Sequence, residues 1–316
     1  MGLADLVAFE LWRARRDRAQ QRVVVCGALI ASLALADLPE IGLGMTPLAR
    51  QLARLSAREM VSALGVRSGP AWLQRGLALP LYAASRDLGQ ALAALDSEIA
   101  ELGLPEAAGG ALLRFGVRLR VSGVEPGSGP CLVLANHPGA YDALALVRAL
   151  GRRDLLILAA DREFLRALSG LSAHLVFVGD ALSERARALK RSLRFLRQGG
   201  ALLHFPAGRI EPDADFTLPG AQLLEDWQAG VSALVTACER ASGRVLVAGV
   251  RGVHSVRAKR LLLNRLAERR GVTTLSPLLQ LVGKLRDVEA RVRIDVASQH
   301  DELSLRVALL NAISKA

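Results

Sequence analysis

The chain has 316 residues, enough for one large domain or two of ordinary size, each with a substantial core. Hydrophobic residues make up 51% and aromatic residues 4% of the chain, and the net charge is +11. That charge favours anionic partners such as nucleic acid, anionic lipid headgroups or phosphorylated substrates, although a basic protein without such a partner has the same composition. The scattered cysteines Cys26, Cys131 and Cys238 lack metal-binding spacing, which argues against a structural zinc site and favours a reducing compartment.

The first part of the chain, residues 1–110, is predicted to be a helical domain. Residues 23–36 form an apolar run that is shorter than the about 20 residues of a membrane span. The acidic residues before this run disfavour a cleaved signal, so we expect a buried or interfacial helix there. Residues 87–102 have apolar positions at helical spacing and predict an amphipathic helix, and Leu79-Pro80 predicts a break before it.

From residue 111 to residue 316 the pattern is that of an α/β domain. The Pro-, Gly- and Ala-rich stretch 103–110 is the predicted boundary between the two domains. Short apolar runs then alternate with helical patterns, which indicates a largely parallel central sheet flanked by helices. The predicted strands are 115–126, 131–135, 155–160, 174–179, 201–205, 245–250 and 292–297, and the predicted helices are 141–150, 181–197 and 221–240.

A histidine and an aspartate stand where the strand 131–135 ends and the next helix begins. In "ANHPGAYDALAL" (135–146), His137 follows the strand, Pro138 suits a first helical turn, and Asp142 comes five residues after His137. Ligands bind beyond the carboxyl ends of strands in open α/β sheets, so this is a candidate site. With His137 at or near the helix N-cap, Asp142 can hold one ring nitrogen and leave the other to accept a proton. Alternatively, the two residues are only a helix cap and a first-turn acid that complements the helix dipole.

A second candidate segment follows the strand predicted at 201–205. In "ALLHFPAGRIEPD" (201–213), a Phe205-Pro206-x-Gly208 turn is followed by Arg209. Gly208 allows backbone N–H groups to approach a ligand closely, and Arg209 supplies a planar fork of donors for phosphate. The alternative is an ordinary Pro-Gly turn with a solvated arginine. No nucleophilic side chain accompanies His137, so a substrate hydroxyl is the expected proton donor.

Together and in this order, the segments resemble the glycerolphosphate/lysophospholipid acyltransferase superfamily. Asn136, His137 and Asp142 match its Asn-His-x4-Asp block. The Phe-Pro-Glu-Gly-Thr-Arg block is matched in part by Phe205, Pro206 and Gly208.

Two further stretches support the resemblance, which covers residues 112–255. Residues 159–165 are similar to the family's Ala-Lys-x-Glu-Leu stretch, with Arg162 at or near its usual lysine. Residues 245–253 stand where the family has a Val-Pro-Val-x-Ile strand.

The resemblance implies transfer of a fatty acyl group from an acyl-thioester, either acyl-CoA or acyl-carrier protein, to a hydroxyl of a glycerolphosphate- or lysophospholipid-type acceptor. His137 is the implied general base and Asp142 its orienting partner, and no cofactor or metal is required. Donors near the Phe-Pro-x-Gly turn are implied to bind the acceptor's phosphate or the tetrahedral oxyanion. The implied substrate-binding residues are Asn136, Arg162, Phe205, Pro206, Gly208 and Arg209.

Three departures from the family's pattern leave the acceptor open. Ala207 replaces a glutamate, Ile210 replaces an arginine with Arg209 one place earlier, and Asp180 stands where an acceptor-binding arginine is usual. The His/Asp pair is kept while the phosphate-binding residues are altered. Two alternatives therefore remain: the same chemistry on a non-phosphate acceptor such as an amino-acid lipid, or a non-catalytic lipid-binding relative.

Two cationic segments suggest a membrane partner. Residues 184–198 and 256–270 place Lys and Arg at three- and four-residue intervals beside leucines, a composition typical of helices that lie on anionic membranes. A packed helix with a solvated charged face has the same composition. Nucleic acid is not expected because aromatic residues for base stacking are scarce. Since no segment predicts a membrane span, we expect a cytoplasmic protein peripherally associated with the inner face of the membrane.

Overall fold

The computed structural model describes residues 44–63, 71–139, 141–217, 227–260, 280 and 287–316. The chain divides into two compact units, one of residues 1–90 with 267–275 and one of residues 91–266 with 276–316. The apolar run 23–36 and most of the cationic segment 256–270 lie outside the described residues. Within the described ranges, no helix is both long and apolar enough to cross a bilayer.

The first two helices of the described residues are α1 (Pro47–Ala63) and α2 (Ala71–Leu102). Helix α1 begins at Pro47, whose missing N–H is harmless in a first turn, and the Thr46 hydroxyl accepts a hydrogen bond from the Ala49 N–H at 3.2 Å. The break predicted at Leu79-Pro80 is wrong, because α2 continues through it. An interior proline removes one backbone hydrogen bond and crowds the carbonyl four residues earlier, a cost of about 3 kcal/mol that the rest of this 32-residue helix outweighs.

The α/β unit is built on a seven-stranded sheet of order β1-β7-β6-β2-β5-β3-β4. All neighbouring strands are parallel except β6 and β7, so the predicted class, a largely parallel central sheet flanked by helices and preceded by helical elements, is confirmed. The strands are β1 (Arg118–Gly123), β2 (Cys131–Ala135), β3 (Leu155–Ala160), β4 (Leu175–Val178), β5 (Ala201–His204), β6 (Arg244–Arg251) and β7 (Glu289–Val296).

The remaining described helices are α3 (Leu104–Phe115), α4 (Asp142–Leu150), α5 (Glu163–Ala167), α6 (Ser169–Ser172), α7 (Leu182–Arg197), α8 (Val231–Arg240), α9 (Val256–Arg260) and α10 (Glu302–Lys315). Helix α3 occupies the stretch 103–110 that was predicted as an interdomain break. Gly109 lies inside it, and a Cβ there would come within 3.1 Å of the Arg148 side chain of α4. The glycine thus permits close packing within a helix, and the division at 1–110 and 111–316 stays a prediction.

Strand β2 lies at the centre of the core. All five of its residues are buried, and successive side chains point to opposite faces of the sheet. Cys131, Val133 and Ala135 pack in the cluster that includes residues of α3 and α4, whereas Leu132 and Leu134 pack in the cluster that includes residues of α7, α8 and α10. Because β2 is covered on both faces, the residues that follow it leave from a rigid support.

Candidate active site

The loops that follow β2, β5 and β6 leave the sheet side by side. Strand β2 pairs in parallel with β5 and with β6, with Leu134 opposite His204 and Ala135 opposite Ala248. The two candidate segments therefore meet at the carboxyl edge of the sheet. The centroids of the His137 and Phe205 rings lie 4.4 Å apart, with the rings tilted by 31°.

His137 and Asp142 are hydrogen-bonded to each other. The distance from His137 Nδ1 to Asp142 Oδ2 is 2.7 Å. The carboxylate is itself fixed, because Oδ2 accepts the Gly139 N–H at 2.7 Å and Oδ1 accepts the Ala143 N–H at 2.6 Å. The Asp142 side chain is 2% exposed and the His137 side chain 31% exposed. An anchored carboxylate thus holds Nδ1 of an accessible imidazole and leaves Nε2 to accept a proton.

His137 lies outside the helix, as expected, but farther from it than the expected position at or near the N-cap. Helix α4 begins only at Asp142, with Tyr141 as its N-cap. Gly139 has φ +87°, which ends the extended backbone without starting a helix, and the Asp142 carboxylate binds the Gly139 N–H in place of a helical partner. His137 therefore lies on a loop that precedes the helix, and Asp142 closes that loop.

The surroundings of His137 favour its protonated form. Burial disfavours the imidazolium, but the charge and hydrogen bond of Asp142 and the charge of Glu211 outweigh burial and raise the pKa of His137. Burial raises the pKa of Glu211. This effect is only partly offset by the hydrogen bond from the His137 N–H and by the charges of His137 and Arg209. A raised pKa makes His137 a stronger base and stabilises the cation that forms when it accepts a proton.

Asn136 connects the site loop to β6. Its Nδ2 donates to the Val250 carbonyl at 2.8 Å, and its Oδ1 accepts the Val250 N–H at 2.7 Å. The residue is 1% exposed. The side chain thus continues the β2–β6 hydrogen-bond ladder by one step, and the substrate-binding role predicted for Asn136 stays a prediction.

Two acidic residues to which the sequence assigned no role, Glu211 and Asp213, tie the loops together. Glu211 Oε2 accepts the His137 N–H at 2.8 Å, and the Glu211 N–H donates to the His137 carbonyl at 2.8 Å. Asp213 accepts the Gly252 N–H at 2.9 Å and the His254 N–H at 3.1 Å. The sequence feature that could have identified them is the presence of two carboxylates shortly after the Phe-Pro-x-Gly turn, at the sheet edge where the site is expected.

The turn after β5 requires its glycine. Gly208 has φ +61°, and a Cβ there would lie 2.1 Å from Nε2 of Gln228. The Gln228 N–H donates to the Pro206 carbonyl at 2.9 Å, so the turn and residue 228 are in direct contact. Arg209 is exposed on the same loop.

Arg162 is exposed at the N-cap of α5, just past β3. Strand β3 lies beyond β5, about two strand spacings or roughly 10 Å from β2. The structure thus brings His137, Asp142 and the 205–209 turn together and places Arg162 farther along the same edge. In the part of the chain that is described, no three His, Cys, Asp or Glu side chains are grouped as metal ligands, and independence from cofactors stays a prediction.

Comparison with known proteins gives one family. Residues 118–238 match the family model described as Acyltransferase, a range that runs from β1 into α8 and includes both candidate segments. Among solved structures, the chain is similar to the 1-acyl-sn-glycerophosphate (LPA) acyltransferase PlsC from Thermotoga maritima, with 14% identity, a TM-score of 0.43, and coverage of 83% of this chain and 97% of that chain. No curated protein matches.

Proposed function

We propose that the protein moves a fatty acyl group from an acyl-thioester to a hydroxyl of a glycerolphosphate- or lysophospholipid-type acceptor. The match of residues 118–238 to the Acyltransferase family model supports this proposal. The observation that carries the proposal is the contact of 2.7 Å between His137 Nδ1 and Asp142 Oδ2. It supplies a base and its orienting carboxylate at the sheet edge where substrates of α/β enzymes bind.

In the proposed reaction, Nε2 of His137 takes the proton of the acceptor hydroxyl while the hydroxyl oxygen attacks the thioester carbonyl. A C–O bond forms, and the carbonyl oxygen becomes an oxyanion. Collapse of this intermediate breaks the C–S bond, and the leaving thiolate takes the proton from the His137 imidazolium. Asp142 stabilises that imidazolium, and we assign binding of the acceptor's phosphate or the oxyanion to Arg209 and the Gly208 turn.

The direct test is the release of free thiol from acyl-CoA, or from acyl-carrier protein, by purified protein with His137→Ala. We expect a loss of about 10²- to 10⁴-fold, the usual contribution of a positioned general base. His300→Ala is the matched control, since His300 is a surface imidazole whose Nδ1 is 2.6 Å from Glu239. Undiminished acyl transfer by the His137 variant would exclude this residue as the base. Bound lipid without any acyl transfer by the wild-type protein would indicate a lipid-binding relative.

One observation favours a second candidate, the same chemistry on a non-phosphate acceptor. Ile210 stands where the family has an arginine, is 45% exposed, and lies 3.4 Å from the position that a Cβ on Gly139 would occupy. An apolar side chain next to the His137 loop does not bind phosphate.

A panel of acceptors, with lysophosphatidate against a monoacylated amino-acid lipid, separates the two candidates. If phosphate is bound, Arg209→Ala weakens only the phosphorylated acceptor. Equal losses on both acceptors would contradict the role assigned to Arg209.

We also propose that the protein binds an anionic membrane surface at the inner face of the membrane. Helix α7 buries Ala188, Ser192 and Leu196. Its opposite, exposed face carries five cations: Arg187, Lys190, Arg191, Arg194 and Arg197. Such a face attracts anionic lipid, and each basic residue near the surface contributes about 1 kcal/mol.

A further inference from the structure

Glu211 contacts both main-chain groups of the proposed base. Its carboxylate accepts the His137 N–H and its own N–H donates to the His137 carbonyl, both at 2.8 Å. Glu211 lies 74 residues after His137 and on a different loop, so this reciprocal contact fixes the His137 backbone against the loop that follows β5. A single residue thereby fixes the position of the main chain from which the His137 imidazole extends.

The carboxylate of Glu211 does more than accept a hydrogen bond. Glu211 is 6% exposed, and burial of a carboxylate is unfavourable unless nearby groups stabilise its charge. A glutamine of the same shape could accept the His137 N–H without that penalty. What distinguishes the carboxylate is its negative charge, which acts on the imidazole and favours its protonated form.

Four charged groups among the described residues act on one another at this contact. Asp142 and Glu211 act on the His137 ring, and His137, Arg209 and Asp142 act on Glu211. Arg209 favours the ionised form of Glu211, and Asp142 disfavours it. Ala207 is buried and carries no charge, and Glu211 of the same loop supplies the carboxylate that contacts His137.

Building on the proposed acyl transfer, we propose that Glu211 is a positioning residue of the site. It holds the main chain of His137 on both sides of the Cα atom, and it supplies, beside Asp142, a second negative charge that favours the imidazolium formed when His137 takes the acceptor's proton. Glu211 touches neither acceptor nor thioester and acts through His137.

The test compares Glu211→Gln with Glu211→Ala. Glutamine keeps an oxygen for the His137 N–H and removes the charge, whereas alanine removes both. We expect the acid limb of the kcat/KM profile to move to lower pH in both variants, because His137 then loses its proton more readily. In Glu211→Ala the plateau falls in addition by about 10- to 100-fold, the effect of removing one hydrogen bond to a charged group. Glu239→Gln, which alters the surface carboxylate paired with His300, should leave the profile unchanged.

Titration of the His137 ring by NMR without substrate separates this proposal from the proposed function. A lower titration midpoint in Glu211→Gln supports the role of Glu211 even if no acyl transfer is found. If wild-type protein transfers acyl groups and His137→Ala does not, yet Glu211→Gln titrates and reacts like wild type, the assignment of Glu211 is overturned. Equal plateau losses in both Glu211 variants with an unmoved acid limb would also overturn it, since that is the result of a purely structural role.

Discussion

Replacing Asp142 by asparagine tests the electrostatics of the site most directly. The carboxylate accepts three hydrogen bonds: those of the His137 ring and the Gly139 N–H on Oδ2, and that of the Ala143 N–H on Oδ1. An asparagine has one oxygen. With that oxygen toward His137, the NH₂ group faces the Ala143 N–H, and these two donors cannot form a hydrogen bond. In the reverse orientation the NH₂ group opposes Gly139 and forces a proton onto Nε2 of His137, which abolishes the base.

In the first orientation the asparagine oxygen accepts from the His137 ring and the Gly139 N–H, whereas in the second it accepts only from the Ala143 N–H. We therefore expect the oxygen to face His137. The imidazolium then keeps a hydrogen bond and loses its ion partner. Removing one partner of a buried ion pair costs about 3 to 5 kcal/mol, which corresponds to a rate loss of about 10²- to 10⁴-fold. Because the His137 side chain remains 31% exposed, we expect the lower half of that range.

The assay is the rate of acyl transfer across the pH range, with Asp161→Asn as the control. Asp161 is a carboxylate past β3 that binds Arg166 at 2.6 Å. Since Asp142 raises the pKa of His137, Asp142→Asn lowers it, and the acid limb moves to lower pH while the plateau falls. A variant with wild-type rates, or with an acid limb at higher pH, would refute this account of the pair.

Three further changes probe the turn, the cationic helix and the core. Gly208→Ala should lower acyl transfer more than Gly151→Ala, because both glycines have positive φ but only a Cβ at Gly208 would meet Gln228. Circular dichroism checks that both variants fold, and equal rates would contradict a role of the Gly208–Gln228 contact in activity. Arg191→Glu with Arg194→Glu should weaken co-sedimentation with vesicles containing anionic phosphatidylglycerol, whereas Arg240→Glu on α8 should not; equal binding by all three proteins would exclude α7 as the membrane contact. Burial lowers the pKa of His204 to about 4, so the unfolded chain binds its proton first as the pH falls. The wild type should therefore lose about 2 kcal/mol of unfolding free energy between neutral pH and a pH of about 5, and His204→Leu should lose less in urea titrations, with His300→Leu as control.

The parts of the site that depend on residues close together in sequence could be predicted from the sequence. The apolar run 131–135 and the His137/Asp142 spacing are local patterns, and the structure has β2 at those residues and the pair in contact. The helix predicted at 141–150 is observed at Asp142–Leu150. His137 lies four residues before the N-cap rather than beside it, because the Asp142 carboxylate binds the Gly139 N–H where Pro138 suggested a first helical turn.

Glu211 and Asp213 were missed for a different reason. Each recognises backbone groups of a loop far away in sequence, and local spacing contains no information on such contacts. The direction of β7 was likewise not predictable, since an alternating pattern looks the same in parallel and antiparallel strands.

The place of β7 has a consequence for the synthesis of this chain. Among the described strands, β1 is bonded only to β7, which follows it by about 170 residues and separates it from β6. During translation, β1 is synthesised early and lacks this partner strand until residues 289–296 leave the ribosome. A nascent chain cut before residue 289 would expose both β1 and the edge of β6, the sort of open edges that invite aggregation and chaperone binding.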